Sequence, residues 1–134
     1  MHKKNRKIVV DDRKFIYTLA QKYDSGTSRV SLKISLPDRR NDACVFHFYT
    51  WDDVIGGSPL MTGIDLPDRK NGQTARWNLH FPGQIRLFVL YALRHGWDGE
   101  KRVEFTDGIG VLEEMGWEAE MLRPDLEKQN QYGN

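Results

Sequence analysis

The 134-residue chain contains one cysteine, Cys44, so no intramolecular disulfide can form. Cys44 sits in the apolar run "ACVFHFYTW" and reads as a small packing hydrophobe, with no evident base beside it to generate a thiolate. No stretch approaches the ~20 consecutive apolar residues of a membrane-spanning helix. The opening "MHKKNRKIVVDDRK" is basic like the start of a secretory leader, but its apolar run, Ile8–Val10, is far too short for one. A cytoplasmic protein is therefore expected. Neither sign of charge is in excess: 20 Lys and Arg face 19 Asp and Glu, a formal net charge of +1. That balance gives no global pull toward nucleic acid or an anionic membrane, and neither is expected as a partner.

Recognisable catalytic motifs are lacking too. There is no phosphate-binding glycine loop, nucleophile elbow, HExxH or paired CxxC. His2, His47, His80 and His95 lack ligand spacing, although His47 and His80 would meet if their strands were neighbours. No metal or cofactor is expected. The pairs Asp11-Asp12 and Asp52-Asp53 are adjacent in sequence. On a strand such neighbours point to opposite faces, which makes a poor acid–base dyad.

What is present is a clear alternation of patterns. "KIVVD" (7–11) and "KFIYTLAQKY" (14–23) read as strands joined tightly at Asp12-Arg13, and "DSGTS" (24–28) as a turn. In "RVSLKISL", Val30, Leu32, Ile34 and Leu36 alternate with Ser31, Lys33 and Ser35, which places one face in the core and one in water. "PDRRND" turns the chain into a fourth strand, 43–51. That strand is apolar on both faces: Cys44, Phe46 and Phe48 on one, Val45, His47, Tyr49 and Trp51 on the other. Such a strand is expected to be covered on both sides. The row His47, Tyr49 and Trp51, interleaved with Lys33, could alternatively stack bases or dock a peptide.

Residues 52–76 hold no long periodic pattern and read as a long loop, with a short strand near 75–80. The segment "WNLHFPGQIRLFVLYALRHGW" then predicts a helix over 82–95. Pro82 suits the first helical position and Gly96 the position just past the end. Ile85, Phe88, Val89 and Ala92 form its core stripe, which Leu93 extends. Leu87, Leu90 and Tyr91 project from the opposite side, to be covered by the C-terminal segment (Val111, Leu112, Met115, Trp117) or by another protein. "KRVEFTD" reads as a strand, "GIGVLEEMGW" as one or two helical turns, and 125–134 as a frayed tail.

The stretches "ISLPDRRN" and "IDLPDRKN" nearly repeat each other. They read either as plain turn chemistry or as two basic loops, Arg39-Arg40 and Arg69-Lys70, gripping one acidic partner or phosphate.

The pattern Trp77, Pro82, Ile85, Ala92, Leu93, Gly96, Trp97 resembles a set of small uncharacterised bacterial proteins. These share a Trp-x4-Pro helix start and an "ALxxGW" helix end. A looser resemblance is to immunity proteins of bacterial toxin systems, which implies a compact α+β domain that works by binding. The expected architecture is one α+β domain. It comprises an antiparallel sheet of about five or six strands, one main helix packed on a face, and a short C-terminal helix. The expected function is a non-catalytic protein-interaction module of the immunity type, bound to a toxin, an effector or a second copy of itself. Its candidate contacts are Arg39, Arg40, Arg69, Lys70, Tyr49, Trp51, Leu87, Leu90 and Tyr91. The alternative is a small enzyme or ligand-binding domain with its site under the 52–76 loop.

Overall fold

The structure, a computed structural model, describes residues 5–53 and 55–124. The expected frayed tail, 125–134, lies outside the described residues. Four strands form a meander: β1 (Arg6–Val10), β2 (Arg13–Asp24), β3 (Thr27–Leu36) and β4 (Arg39–Trp51). The first two turns need left-handed backbone, because only mirror-image turns match the right-handed twist of a hairpin. At the first, Asp11 and Asp12 take φ of 50° and 65°, so the turn lies one residue earlier than expected. Aspartate tolerates this region better than most residues. At the second, Ser25 and Gly26 do the same.

After β4 come α1 (Pro59–Thr62), β5 (Ile64–Pro67), β6 (Thr74–Trp77), α2 (Pro82–Arg94), β7 (Val103–Phe105), α3 (Gly108–Glu114) and a single 3-10 turn, Glu120–Leu122. The main sheet has order β1-β2-β3-β4-β7, and β5-β6 form a separate hairpin. The fold is α+β, but the sheet is mixed and not purely antiparallel: β7 runs parallel to β4, with Cys44 opposite Val103 and Phe46 opposite Phe105. A parallel neighbour requires a long crossover, and residues 52–102 supply it. The α2 helix is accompanied by two shorter ones.

The expected long loop, 52–76, is instead a folded unit. Ser58 caps α1 by accepting a hydrogen bond from the Leu60 N–H at 3.3 Å, and its hydroxyl lies 2.9 Å from Thr50 Oγ1. Leu60 and Leu66 from this segment are wholly buried. A window without amphipathic period hid this, because each element in it is only four residues long.

One face of the sheet carries the core. Phe15, Tyr17, Val30, Leu32, Ile34, Cys44, Phe46 and Phe48 point inward and are buried. Ile85, Phe88, Val89 and Ala92 of α2 pack on them, as the stripe predicts. Phe88 meets Phe46 and Phe48 edge-on at centroid distances of 5.2 and 5.3 Å, and Trp77 at 6.0 Å. Burial pushes the Cys44 thiol up to about 12, so it stays protonated and unreactive. Phe81 precedes α2 with no side-chain cap, and Pro82 starts the helix.

Candidate functional site

Two concave surfaces flank this core, one on each side. The first is a groove behind α2, of about 560 Å³. Leu87, Leu90 and Tyr91 form its helix wall, and Met115 and Trp117 its opposite wall. Asp68, Lys70, Arg94, His95 and Glu114 bring charge and polarity to it. The C-terminal segment reaches this side of the helix as the sequence suggests, but does not close it: Leu87 is still 39 % exposed.

Several contacts give the groove its shape. Trp117 packs edge-on against buried Trp77 at 5.5 Å. The residues after α3 are stitched to the turn after β5: the Glu118 N–H donates to the Pro67 carbonyl at 2.9 Å, and the Arg69 N–H to the Gly116 carbonyl at 2.9 Å. Arg69 also donates from its guanidinium to the carbonyl of Glu113. Tyr91 stacks on His95 at 3.8 Å and meets Phe105 edge-on at 5.4 Å. Its hydroxyl donates to the Glu114 carboxylate. Burial, together with that hydrogen bond and the negative charge of Glu114, pushes the Tyr91 phenol up to about 12. His95 Nδ1 donates to the Tyr91 carbonyl at 2.8 Å.

The second surface is the outer face of the sheet. Val45 is buried there, but Tyr49 and Trp51 are 42 % and 36 % exposed, so the expected cover over this face is incomplete. The Trp51 indole N–H donates to the Met121 carbonyl at 2.8 Å, which fixes the ring. Across the same face His47 joins three strands. Its Nδ1 lies 2.9 Å from Ser31 Oγ and its Nε2 2.9 Å from Glu104 Oε1. In the neutral ring, Nε2 donates to the carboxylate and Nδ1 accepts from the hydroxyl. The hydrogen bond from His47, aided by the nearby charge of Arg102, holds the Glu104 carboxyl below its usual range. A hydroxyl, an imidazole and a carboxylate in series are the parts of a nucleophilic relay. Ser31, however, lies mid-strand on an open sheet face, without the sharp turn that lifts a nucleophile toward a substrate. The series reads as a cross-strand tie holding β3, β4 and β7 in register.

The two near-repeated stretches have different structures. Arg39 and Arg40 open strand β4 and do not lie in a loop, because the turn uses only Pro37 and Asp38. Arg39 is engaged by Asp42 at 3.1 Å and reaches the Glu100 carbonyl at 3.4 Å. Arg69 and Lys70 do occupy a turn, where Arg69 is tied to α3 as described. One member of each basic pair is thus a fold contact, while Arg40 and Lys70 are exposed. The groove gathers Lys70, Leu87, Leu90 and Tyr91; Tyr49 lines a depression on the outer face. His47 is occupied by Ser31 and Glu104, and His80 is exposed in the turn before α2. No group of three or more His, Cys, Asp or Glu among the described residues could hold a metal ion. No helix among them is long and apolar enough to cross a membrane.

One arrangement was not foreseen from sequence. Arg123 binds Asp107 at 3.0 Å, Glu113 at 2.8 Å and Glu120 at 2.9 Å. The Arg123 guanidinium, chiefly, with the Gly110 N–H, holds the Asp107 carboxyl below its usual range, and the three carboxylates raise Arg123. Asp107 is also the cap of α3, accepting from Gly110 N–H at 3.1 Å. The cluster clamps the last described turn to α3. Its sequence signal was only an arginine amid scattered acids. Comparison of the chain with models of protein families, with curated proteins and with solved structures finds no match.

Proposed function

We propose that the protein is a non-catalytic interaction module of the immunity type, which binds and blocks a bacterial toxin or effector in the cytoplasm. The groove behind α2 is its contact surface. One observation carries the reading: Leu87, Leu90 and Tyr91 stand beside Met115 and Trp117 in one groove, edged by charged side chains of both signs. An apolar centre within a polar rim is the anatomy of a protein interface, and contiguous apolar surface left open tends to mark one. Lys70, and Arg40 at the start of β4, are the basic residues of the two similar stretches that remain free to meet an acidic partner. The looser resemblance to immunity proteins supports the class. Within 52–76, where the alternative would put a ligand site, Leu60 and Leu66 are given over to the core.

The test is co-expression with the product of the adjacent gene. The wild-type protein should relieve growth arrest by that product and co-elute with it in size exclusion. Leu87→Glu and Leu90→Glu, folded by circular dichroism, should do neither. A wild-type protein that forms no complex and gives no relief overturns the reading. A concentration-dependent dimer dissociated by Leu90→Glu assigns the groove to self-association.

A further inference from the structure

The net charge of +1 averages over faces that differ sharply. The register places Lys7, Lys14, Lys22, Arg29 and Lys33 on the outer face of β1, β2 and β3. None of the five forms an ion pair with a described residue. The carboxylates on this face are Asp24, at the β2 end, and Glu104, already engaged by His47 and Arg102. The sheet therefore presents a basic platform.

Its aromatic edge is adjacent. Lys22, Arg29 and Tyr49 stand side by side in one transverse row, and Thr27 pairs with Trp51 in the next. Lys22, Arg29 and Tyr49, with the Asp24 carboxylate at one end, help to line a depression of about 610 Å³. Lys22 and Arg29 flank a second of about 230 Å³, floored by Ala20 and Ser31. The Nε of Arg29 has no hydrogen-bond partner, although it is shielded from water.

We propose that this face binds single-stranded nucleic acid, with Tyr49 and Trp51 stacking bases and Lys22, Arg29 and Lys33 meeting phosphates. Positive charge along a groove with aromatic rings beside it is the recognition chemistry of single strands. Tyr49 and Trp51 are two residues apart on one face, roughly 7 Å along the strand, so each can take its own base. An acidic protein is the rival polyanion. It is disfavoured because the residues beside Lys22, Arg29 and Lys33 are Thr18, Ala20 and Ser31, while the larger apolar side chains of this face, Val9, Ile16, Tyr49 and Trp51, stand toward its ends and edges and not at its centre, where protein interfaces place their anchors. Duplexes are disfavoured because paired bases are not free to stack on Tyr49.

The test is fluorescence anisotropy with a labelled single-stranded oligonucleotide of about 12 nucleotides, within the range of single-strand site sizes. The wild-type protein should bind, with log K falling against log salt at a slope of about −2 for three phosphate contacts. Arg29→Glu with Lys22→Glu should abolish binding at moderate salt. Tyr49→Ala should weaken it roughly tenfold or more while leaving the salt slope unchanged. Leu90→Glu, in the groove behind α2, should bind as the wild type does, which separates this surface from the interaction groove. Thermal midpoints confirm that each variant is folded. Absence of wild-type binding at low salt overturns the proposal. So does binding indifferent to Tyr49→Ala and matched by a polyglutamate peptide, which would assign the face to an acidic protein.

Discussion

Replacing Phe88 by alanine tests the central packing directly. The ring has no exposed surface and sits between Phe46, Phe48 and Trp77, all three edge-on within 6.0 Å. Deleting a buried phenyl costs about 3–5 kcal/mol in lost transfer energy and residual cavity. Edge-to-face pairs add roughly 0.5–1.5 kcal/mol each beyond burial, which sets the expectation at the upper end, about 4–5 kcal/mol. The surrounding wall is aromatic and supported on three sides, so it has little freedom to collapse into the void. For a chain of this size that loss corresponds to a fall in melting temperature of roughly 15 °C. Urea denaturation followed by tryptophan fluorescence is the assay, with an unchanged m-value as the sign that only stability moved. Leu87→Ala is the internal control, on the same helix but 39 % exposed. It should cost no more than about 1 kcal/mol. Equal losses in the two variants would refute the assigned orientation of α2.

Spectrophotometric titration should find one tyrosine ionising near 12, and Glu114→Gln should return it toward the ordinary phenol value of 10.0. Because the folded state holds that proton more tightly, the stabilisation is complete below the ordinary value and is lost as pH rises through about 12. Asp107 gives the opposite sign: its lowered value means stabilisation present above the ordinary carboxylate range and lost as pH falls through the folded value. Arg123→Gln should therefore flatten the acid limb of the stability profile, read as melting temperature against pH. Gly108→Ala should destabilise by about 1–3 kcal/mol in denaturant titration, because a Cβ there would lie 2.5 Å from Phe48 Cδ1 and 2.8 Å from the His47 carbonyl oxygen.

The strands and the main helix were legible because their periods are long: β3 alternates over its whole length, and α2 repeats its stripe for about two turns. The parallel placement of β7 was not legible, since a three-residue strand carries no mark of its partner. Within 52–76, α1 and β5 escaped for the same reason of length, while β6 overlaps the short strand expected near 75–80. At the candidate groove, sequence identified Leu87, Leu90 and Tyr91 as a second apolar side of α2, because periodicity alone separates them from the core stripe. It did not reveal that Lys70 would join them, which depends on the stitching of Arg69 and Pro67 to the residues after α3. Nor could composition show a charged face, because the lysines that make it come from three strands while the balancing acids lie mostly elsewhere.

The strand order also sets a sequence of events during synthesis. Each pair in the β1–β4 meander joins neighbours along the chain, so the ribosome delivers that sheet complete before it has made α2. At ordinary elongation rates the interval lasts a few seconds, long compared with hairpin formation. Throughout it Phe15, Leu32, Phe46 and Phe48 have no helix to cover them, and the β4 edge lacks β7. The nascent protein thus passes through a sheet that is greasy on its inner side and open at one edge. That exposed inner side is the kind of surface chaperones shelter until α2 arrives.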